Sequence, residues 1–137
     1  MKVCLVTSRY PPGIGGVAAS SHRLARYLRD AGYDLHVVAT YPGGDPPVAE
    51  TSREDSIAVH RLTFAPDSNA GQFFFRAFVR DLDAAERFDL FHAFFLTMVP
   101  ACAAAAANGA RPLIASIRGS DAVWLVRHPV VRRLVFS

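Results

Sequence analysis

Three stretches of this chain carry the backbone and side-chain types needed to hold an anion or a polyol: Arg9-Tyr10-Pro11-Pro12-Gly13-Ile14-Gly15-Gly16, the lone His92, and Arg118-Gly119-Ser120-Asp121. Glycines that follow a strand-like run and open a helix let main-chain N–H groups approach a phosphate without interference from a Cβ. The helix start adds a partial positive charge there. The same glycines also suit a tight turn, and both readings stand. Arg118 offers a planar fork of five donors to sugar hydroxyls or phosphates but keeps its proton, so it is no base. His92 sits in an apolar run where a polar ring needs a partner, either as a satisfied core histidine or as part of a site. Asp121 either orients a sugar or caps the next turn. Tyr10 and Ser120 are further candidates for contact with a substrate.

A dinucleotide fingerprint is the obvious competitor, because Gly13-Ile14-Gly15-Gly16-Val17-Ala18 fits G-x-G-x-x-A. That fingerprint needs its first glycine directly at the strand end and an acidic residue at the end of the second strand. Here Arg9 to Pro12 intervene, and the second strand ends in Thr40-Tyr41-Pro42 with Asp34 at its opposite end. Nicotinamide and flavin binding are set aside on these grounds.

These loops must be positioned by strands and helices. Val3-Cys4-Leu5-Val6-Thr7 reads as a first strand, and residues 17–31 as a helix with Leu24, Ala25 and Leu28 inward, Arg23, Arg26 and Arg29 outward, and Gly32 as its stop. Residues 35–40 form a second strand, 41–55 a loop rich in Pro, Gly and charge, and 57–62 a half-exposed edge strand. A second helix follows Pro66-Asp67-Ser68-Asn69 with Phe74, Phe78 and Leu82 on one face. Residues 89–95 read as a central strand, Thr97 as the cap of a third helix that ends at Asn108-Gly109, and 113–117 as a fifth strand. Strand order 3-2-1-4-5 puts the loops after strands one, four and five around one crevice at the carboxyl edge.

The order of apolar strand, Tyr-Pro-Pro-x-x-Gly-Gly, helix, then Phe88-Asp89-Leu90-Phe91-His92-Ala93-Phe94, then Pro112-Leu113-Ile114-Ala115-Ser116-Ile117-Arg118-Gly119-Ser120-Asp121 resembles the N-terminal domain of GT-B-fold glycosyltransferases, in particular retaining family 4. The resemblance spans essentially the whole chain. It implies an α/β, Rossmann-like, doubly wound parallel sheet over residues 1–137, truncated before a sixth strand. It also implies sugar transfer from a nucleotide-diphosphate donor to a glycan or lipid-linked acceptor hydroxyl. Gly15, Gly16, Tyr10 and Ser120 would contact substrate, Arg118, His92 and Asp121 would serve the reaction, and no metal or other cofactor is implied. Two departures stand out. Many relatives read His-Ala-His and His-Gly-x-Asp where this chain has His92-Ala93-Phe94 and Arg118-Gly119-Ser120-Asp121. The family's second domain, with two glutamates separated by seven residues, has no counterpart: Glu50, Glu54 and Glu86 lack that spacing. The chain alone is therefore expected to be inactive. A non-catalytic binding domain or degenerate fragment is the alternative, while a response-regulator receiver is set aside because Thr7, Ser8 and Arg9 stand where that fold needs acidic residues.

With 137 residues, 51% of them hydrophobic, the chain suits one domain with a sizeable core. Its net charge of +3 comes with no interleaving of basic and aromatic residues, which argues against a nucleic-acid partner. Cys4 and Cys102 read as buried thiols in a reducing, cytoplasmic setting, and the start lacks the features of a secretory signal. Residues 90–107 carry no formal charge, but His92, Thr97 and Pro100 break the run into strand plus helix rather than a membrane span. His22, His36, His60 and His128 read as surface or satisfied-core residues. The segment from His128 to Ser137 is either a helix lacking its remaining contacts or a basic, apolar patch for a partner or the inner membrane face.

Overall fold

A computed structural model describes residues 1–118 together with Val123 and Arg127. Its elements run β1 (Lys2–Thr7), α1 (Gly16–Asp30), β2 (Asp34–Pro42), β3 (Val48–Glu54), β4 (Ile57–Phe64), α2 (Asn69–Glu86), β5 (Leu90–Phe94), a 3-10 turn (Leu96–Met98), α3 (Val99–Ala107) and β6 (Leu113–Ser116). The six strands form one sheet in the order β3-β4-β2-β1-β5-β6, all parallel except β3. The five strands expected from the sequence thus keep their expected order.

The sheet is sandwiched. Val3, Leu5, Leu35, Val37, Ala39, Ile57, Val59 and Phe94 pack with Ala25 and Tyr10 on the α1 face. Cys4, Val6, Val38, Leu62, Phe64, Phe91 and Ala93 pack with α2 and α3 on the other. β1 is buried from Val3 to Thr7, as expected of a central parallel strand flanked by helices on both sides. Both cysteines are free and buried, and burial pushes both thiols up.

Four local expectations are corrected. Residues 48–54 are strand rather than loop, paired antiparallel with β4 through a turn at Asp55 and Ser56, both at positive φ. β3 is exposed along most of its length, so it shows no apolar alternation by which to be read. With β3 as the edge, β4 is an interior strand, mostly buried, which is the reverse of the half-exposed edge expected for 57–62. On α2 the most buried row is Gly71, Phe75, Val79 and Asp83, while Phe74, Phe78 and Leu82 form the adjacent, partly buried row. Both rows repeat every four residues, and only contact with the sheet chooses between them. Thr97 does not cap α3. It lies inside the 3-10 turn, and α3 begins at Val99 with Pro100 in its first turn. Residues 90–107 divide into β5, the turn and α3, and among the described residues no helix is long and apolar enough to cross a membrane.

Candidate functional site

β1 delivers the chain to the carboxyl edge of the sheet, and residues 8–15 then loop into α1. Three consecutive carbonyls of this loop are held by side chains from elsewhere. The Arg9 carbonyl accepts from the Thr7 hydroxyl at 2.9 Å and from the Ser21 hydroxyl of α1 at 2.8 Å. The Tyr10 carbonyl accepts the phenol of Tyr41 at 2.6 Å and the Gly13 N–H at 2.9 Å. The Pro11 carbonyl accepts from the Arg61 guanidinium. Arg61 is fixed in turn by Glu54, bonded through both carboxylate oxygens, and its guanidinium lies 5.8 Å from the centre of the Tyr10 ring. That pairing holds the Glu54 carboxyl down at about 2.

A Cβ on Gly13 would stand 3.0 Å from the Tyr10 carbonyl, so the turn closes tightly only with glycine there. Gly15 has φ +127, in the region L-residues rarely adopt, and directly precedes α1. Gly16 is the first helical residue, and a Cβ there would meet nothing within 4 Å. The first bond of the helical ladder runs from Ala19 N–H to the Gly15 carbonyl. The N–H groups of Gly16, Val17 and Ala18 precede it, with no side-chain cap and no acidic residue in the first turn. A helix end left this way favours an anion.

Arg118 follows β6 and meets this helix end. Gly16, Val17, Ser20, Ile117 and Arg118 line one open cavity of about 360 Å³. A neighbouring cavity of about 460 Å³ runs between α1 and the strands, lined by Ser20, Arg23, Leu24 and Tyr27 opposite His92, Phe94, Ser116 and Arg118. The Arg118 guanidinium lies 4.8 Å from the centre of the Phe94 ring. The structure therefore brings Gly16, Arg118 and His92 to one side of the sheet. His92 is half-buried with Nε2 2.7 Å from the Ser116 hydroxyl, and burial lowers its pKa, so the ring is held neutral and partnered. Tyr10 is only 3% exposed, its ring inside the α1-side core and its phenol pushed up to about 12 by burial. Its ring is thus turned away from the cavities, and its carbonyl is what shapes the loop. Ser120 and Asp121 lie outside the described residues.

Arg61, Tyr41, Ser21 and Glu54 were missed by sequence reasoning. Arg61 left one signal: it shares a strand face with Ile57 and Val59, and an arginine on a core-facing row needs acceptors. His36 and His60 lie inside the α2 face, Nδ1 to Nε2 at 3.0 Å, with Thr51 on His60 at 2.9 Å, as expected for satisfied-core histidines away from the crevice. Among the described residues no group of three or more His, Cys, Asp or Glu could hold a metal ion.

The family model described as Glycosyltransferase Family 4 matches residues 14–136, nearly the whole chain. The chain belongs to that family. No curated protein matches this family 4 chain. Among solved structures it is similar to sucrose-phosphate synthase from Thermosynechococcus elongatus, at 13% identity and TM-score 0.69 over 97% of this chain and 38% of that one. It is also similar to an E. coli structure titled trehalose-6-phosphate and bound with UDP-2-fluoro glucose, at 13% identity and TM-score 0.59 over 98% and 37%. A third is the catalytic domain of starch synthase IV from Arabidopsis thaliana bound to ADP and acarbose, at 14% identity and TM-score 0.51 over 79% and 30%. These likenesses establish the GT-B, Rossmann-like fold, and this family 4 chain spans less than two fifths of the length of each neighbour.

Proposed function

We propose that this domain is the acceptor-side half of a retaining transferase that moves a sugar from a nucleotide-diphosphate donor to the hydroxyl of a glycan or lipid-linked acceptor. A nucleotide-binding half would complete it. The observation that carries this reading is the shared cavity of Gly16, Val17 and Arg118, where an uncapped helix end and a guanidinium face the same space in a chain of this family. Sugars and phosphates present acceptor oxygens, which both elements recognise as donors. In the reaction the acceptor oxygen bonds to the anomeric carbon as the bond from that carbon to the diphosphate breaks, and the hydroxyl proton goes to the departing diphosphate. Catalysis then comes from positioning and from stabilising that leaving charge.

Gly15 and Gly16 give close backbone approach, Arg118 a charge contact without proton transfer, and His92 an orienting contact beside Ser116. Asp121 and Ser120 are assigned to the same site from the motif alone. No metal or further cofactor enters this scheme. The setting is cytoplasmic, peripheral at the inner membrane face if the acceptor is lipid-linked. The test is a panel of nucleotide sugars and acceptors read by mass spectrometry. The chain alone is expected to be silent, and joined to the nucleotide-binding half of a family 4 enzyme it is expected to transfer. Gly16→Val abolishes that transfer while circular dichroism stays unchanged, because the added Cβ meets open space in the fold but blocks the ligand's approach. Turnover by the chain alone, or full activity in Gly16→Val, would overturn the scheme.

A further inference from the structure

On the opposite face of the same sheet edge lies another cavity, of about 440 Å³, that the scheme above does not use. Its floor is made by Phe64, Phe75 and Met98, all nearly fully buried, with the two phenyl rings stacked at 5.5 Å. Its rim carries Arg9, Asp67, Gln72 and Thr97, with Pro42 and Pro66 among them, all exposed. One polar group reaches the floor. Thr40 is 7% exposed, and among the described residues its hydroxyl has the Met98 thioether, at 4.0 Å, as its one hydrogen-bond partner. A thioether is a weak acceptor, so a buried hydroxyl is left with most of its hydrogen-bonding capacity unused and facing a cavity. Ser8 and Arg9 of the β1–α1 loop line this cavity, and the same loop leads into Gly16, the first residue of α1, which lines the other.

We infer that this cavity binds the apolar ring of a cyclic alcohol or phenol, with a ring hydroxyl on Thr40 and the polar end of the molecule at the rim. Resting on the transferase reading, this narrows its acceptor to the lipid-linked class, with an apolar ring seated on the floor, rather than a bare glycan. The volume falls in the range of small-molecule sites, and the lining divides into an apolar floor and an upper wall where Ser8, Arg9, Tyr41, Asp67, Gln72 and Thr97 supply polar groups. A free hexose seated on that floor is disfavoured, because the hydroxyls it buries there would face Phe64, Phe75 and Met98 with Thr40 as the floor's hydroxyl.

The probes are 4-fluorophenol and 2-fluoro-2-deoxyglucose, titrated into the full chain and followed by fluorine NMR. Saturable binding of the phenol at millimolar or lower concentration, with none for the sugar, is expected. Thr97→Trp and, independently, Gln72→Trp each place a bulky ring on the exposed rim without touching the floor, and each weakens phenol binding at least tenfold. Thr40→Val keeps the shape and removes the hydroxyl, weakening binding about three- to tenfold, as loss of one ordinary hydrogen bond does. Sugar binding equal to that of the phenol, no phenol binding, or phenol binding that both rim variants leave unchanged overturns the assignment. Phenol binding with these sensitivities but no transfer from any nucleotide sugar upholds the cavity and overturns the transferase reading. Transfer to glucose with an empty cavity does the reverse.

Discussion

The two edges of this sheet use arginine in opposite ways. At the amino edge, Arg111 is consumed by the fold. Its guanidinium bonds both oxygens of Asp83 and the carbonyls of Phe88, Ala105 and Asn108, and it lies 5.1 Å from the centre of the Phe91 ring. Asp83 also accepts the Phe88 N–H, so one ion pair ties α2, α3 and the start of β5 together. From the same edge a polar chain runs inward through Lys2, Glu86, His36, His60 and Thr51. At the carboxyl edge, Arg61, Tyr41 and Ser21 hold loop carbonyls, while the N–H groups at the start of α1 stay outside the ladder and Arg118 faces them across a cavity. The amino edge turns its guanidinium inward onto protein acceptors, with Arg111 Nε alone of that group left buried without a hydrogen-bond partner. The other is braced so that the first N–H groups of α1 stay outside the helical ladder.

The largest expected effect breaks the amino edge. Asp83→Ala leaves the Arg111 guanidinium poorly compensated in a largely buried position and should cost about 3–5 kcal/mol of stability, read as a fall in the urea midpoint. A loss below about 1 kcal/mol would mean that the clip is ornamental.

At the other edge the cost should appear in chemistry and not in folding. In the two-domain enzyme proposed above, Arg118→Ala should lose about 1.5–3 kcal/mol of transition-state stabilisation, one to two orders of magnitude in transfer efficiency, with Arg118→Lys between it and the wild type. Far-ultraviolet circular dichroism of both variants should match the wild type, so that the loss is read in transfer and not in folding, while the Arg118 guanidinium lies 4.8 Å from the centre of the Phe94 ring. Equal kinetics for alanine and wild type would remove Arg118 from the site.

Acid separates the two braces by pH. Burial, then the neighbouring His36, lowers His60 from 6.5 to about 4. The unfolded chain therefore takes up a proton across that window while the folded chain does not. Stability is fully present above pH 6.5 and falls towards pH 4, by at most about 1.4 kcal/mol per pH unit. Glu54 is lowered from 4.5 to about 2, chiefly by its bonds to Arg61. Its share is present above pH 4.5 and is lost as pH falls towards 2, and it is the smaller share because the carboxylate is partly exposed. Melting temperature against pH should thus show an upper step reduced in His60→Gln, where the lowered His36 and His92 still contribute, and a lower step reduced in Glu54→Gln. Steps that persist unreduced in both variants would refute the assignment.

The smallest effect is Tyr41→Phe, which deletes one hydrogen bond to the Tyr10 carbonyl and should cost about 1 kcal/mol with an unchanged denaturant slope. A changed slope would show that the loop, and not one bond, had come apart.

The strands β1, β2 and β5 were legible because parallel strands covered on both faces must be largely apolar, a pattern that runs such as Val3-Cys4-Leu5-Val6 display without a partner in view, and β6 was legible from its residue types although Ile114 and Ala115 are exposed. The glycine loop and Arg118 were legible for a similar local reason, since only certain residue types do their chemistry. β3 was not legible. An exposed edge strand has no apolar face to record, and it exists because β4 offers it a free row of N–H and C=O groups. Its absence from the sequence reading also turned β4 inside out. Arg61 was misplaced with it, because its task is to reach a carbonyl fifty residues away, at Pro11. The sequence by itself determined strand order, core composition and which residue types could meet a ligand, since burial and backbone chemistry are written position by position. Only the tertiary structure decided that Tyr10 turns its ring into the core, that His92 is partnered by Ser116, and that Thr40 faces a cavity with little but a thioether to bond. Those outcomes depend on distances between segments far apart in the chain, and no local pattern encodes them.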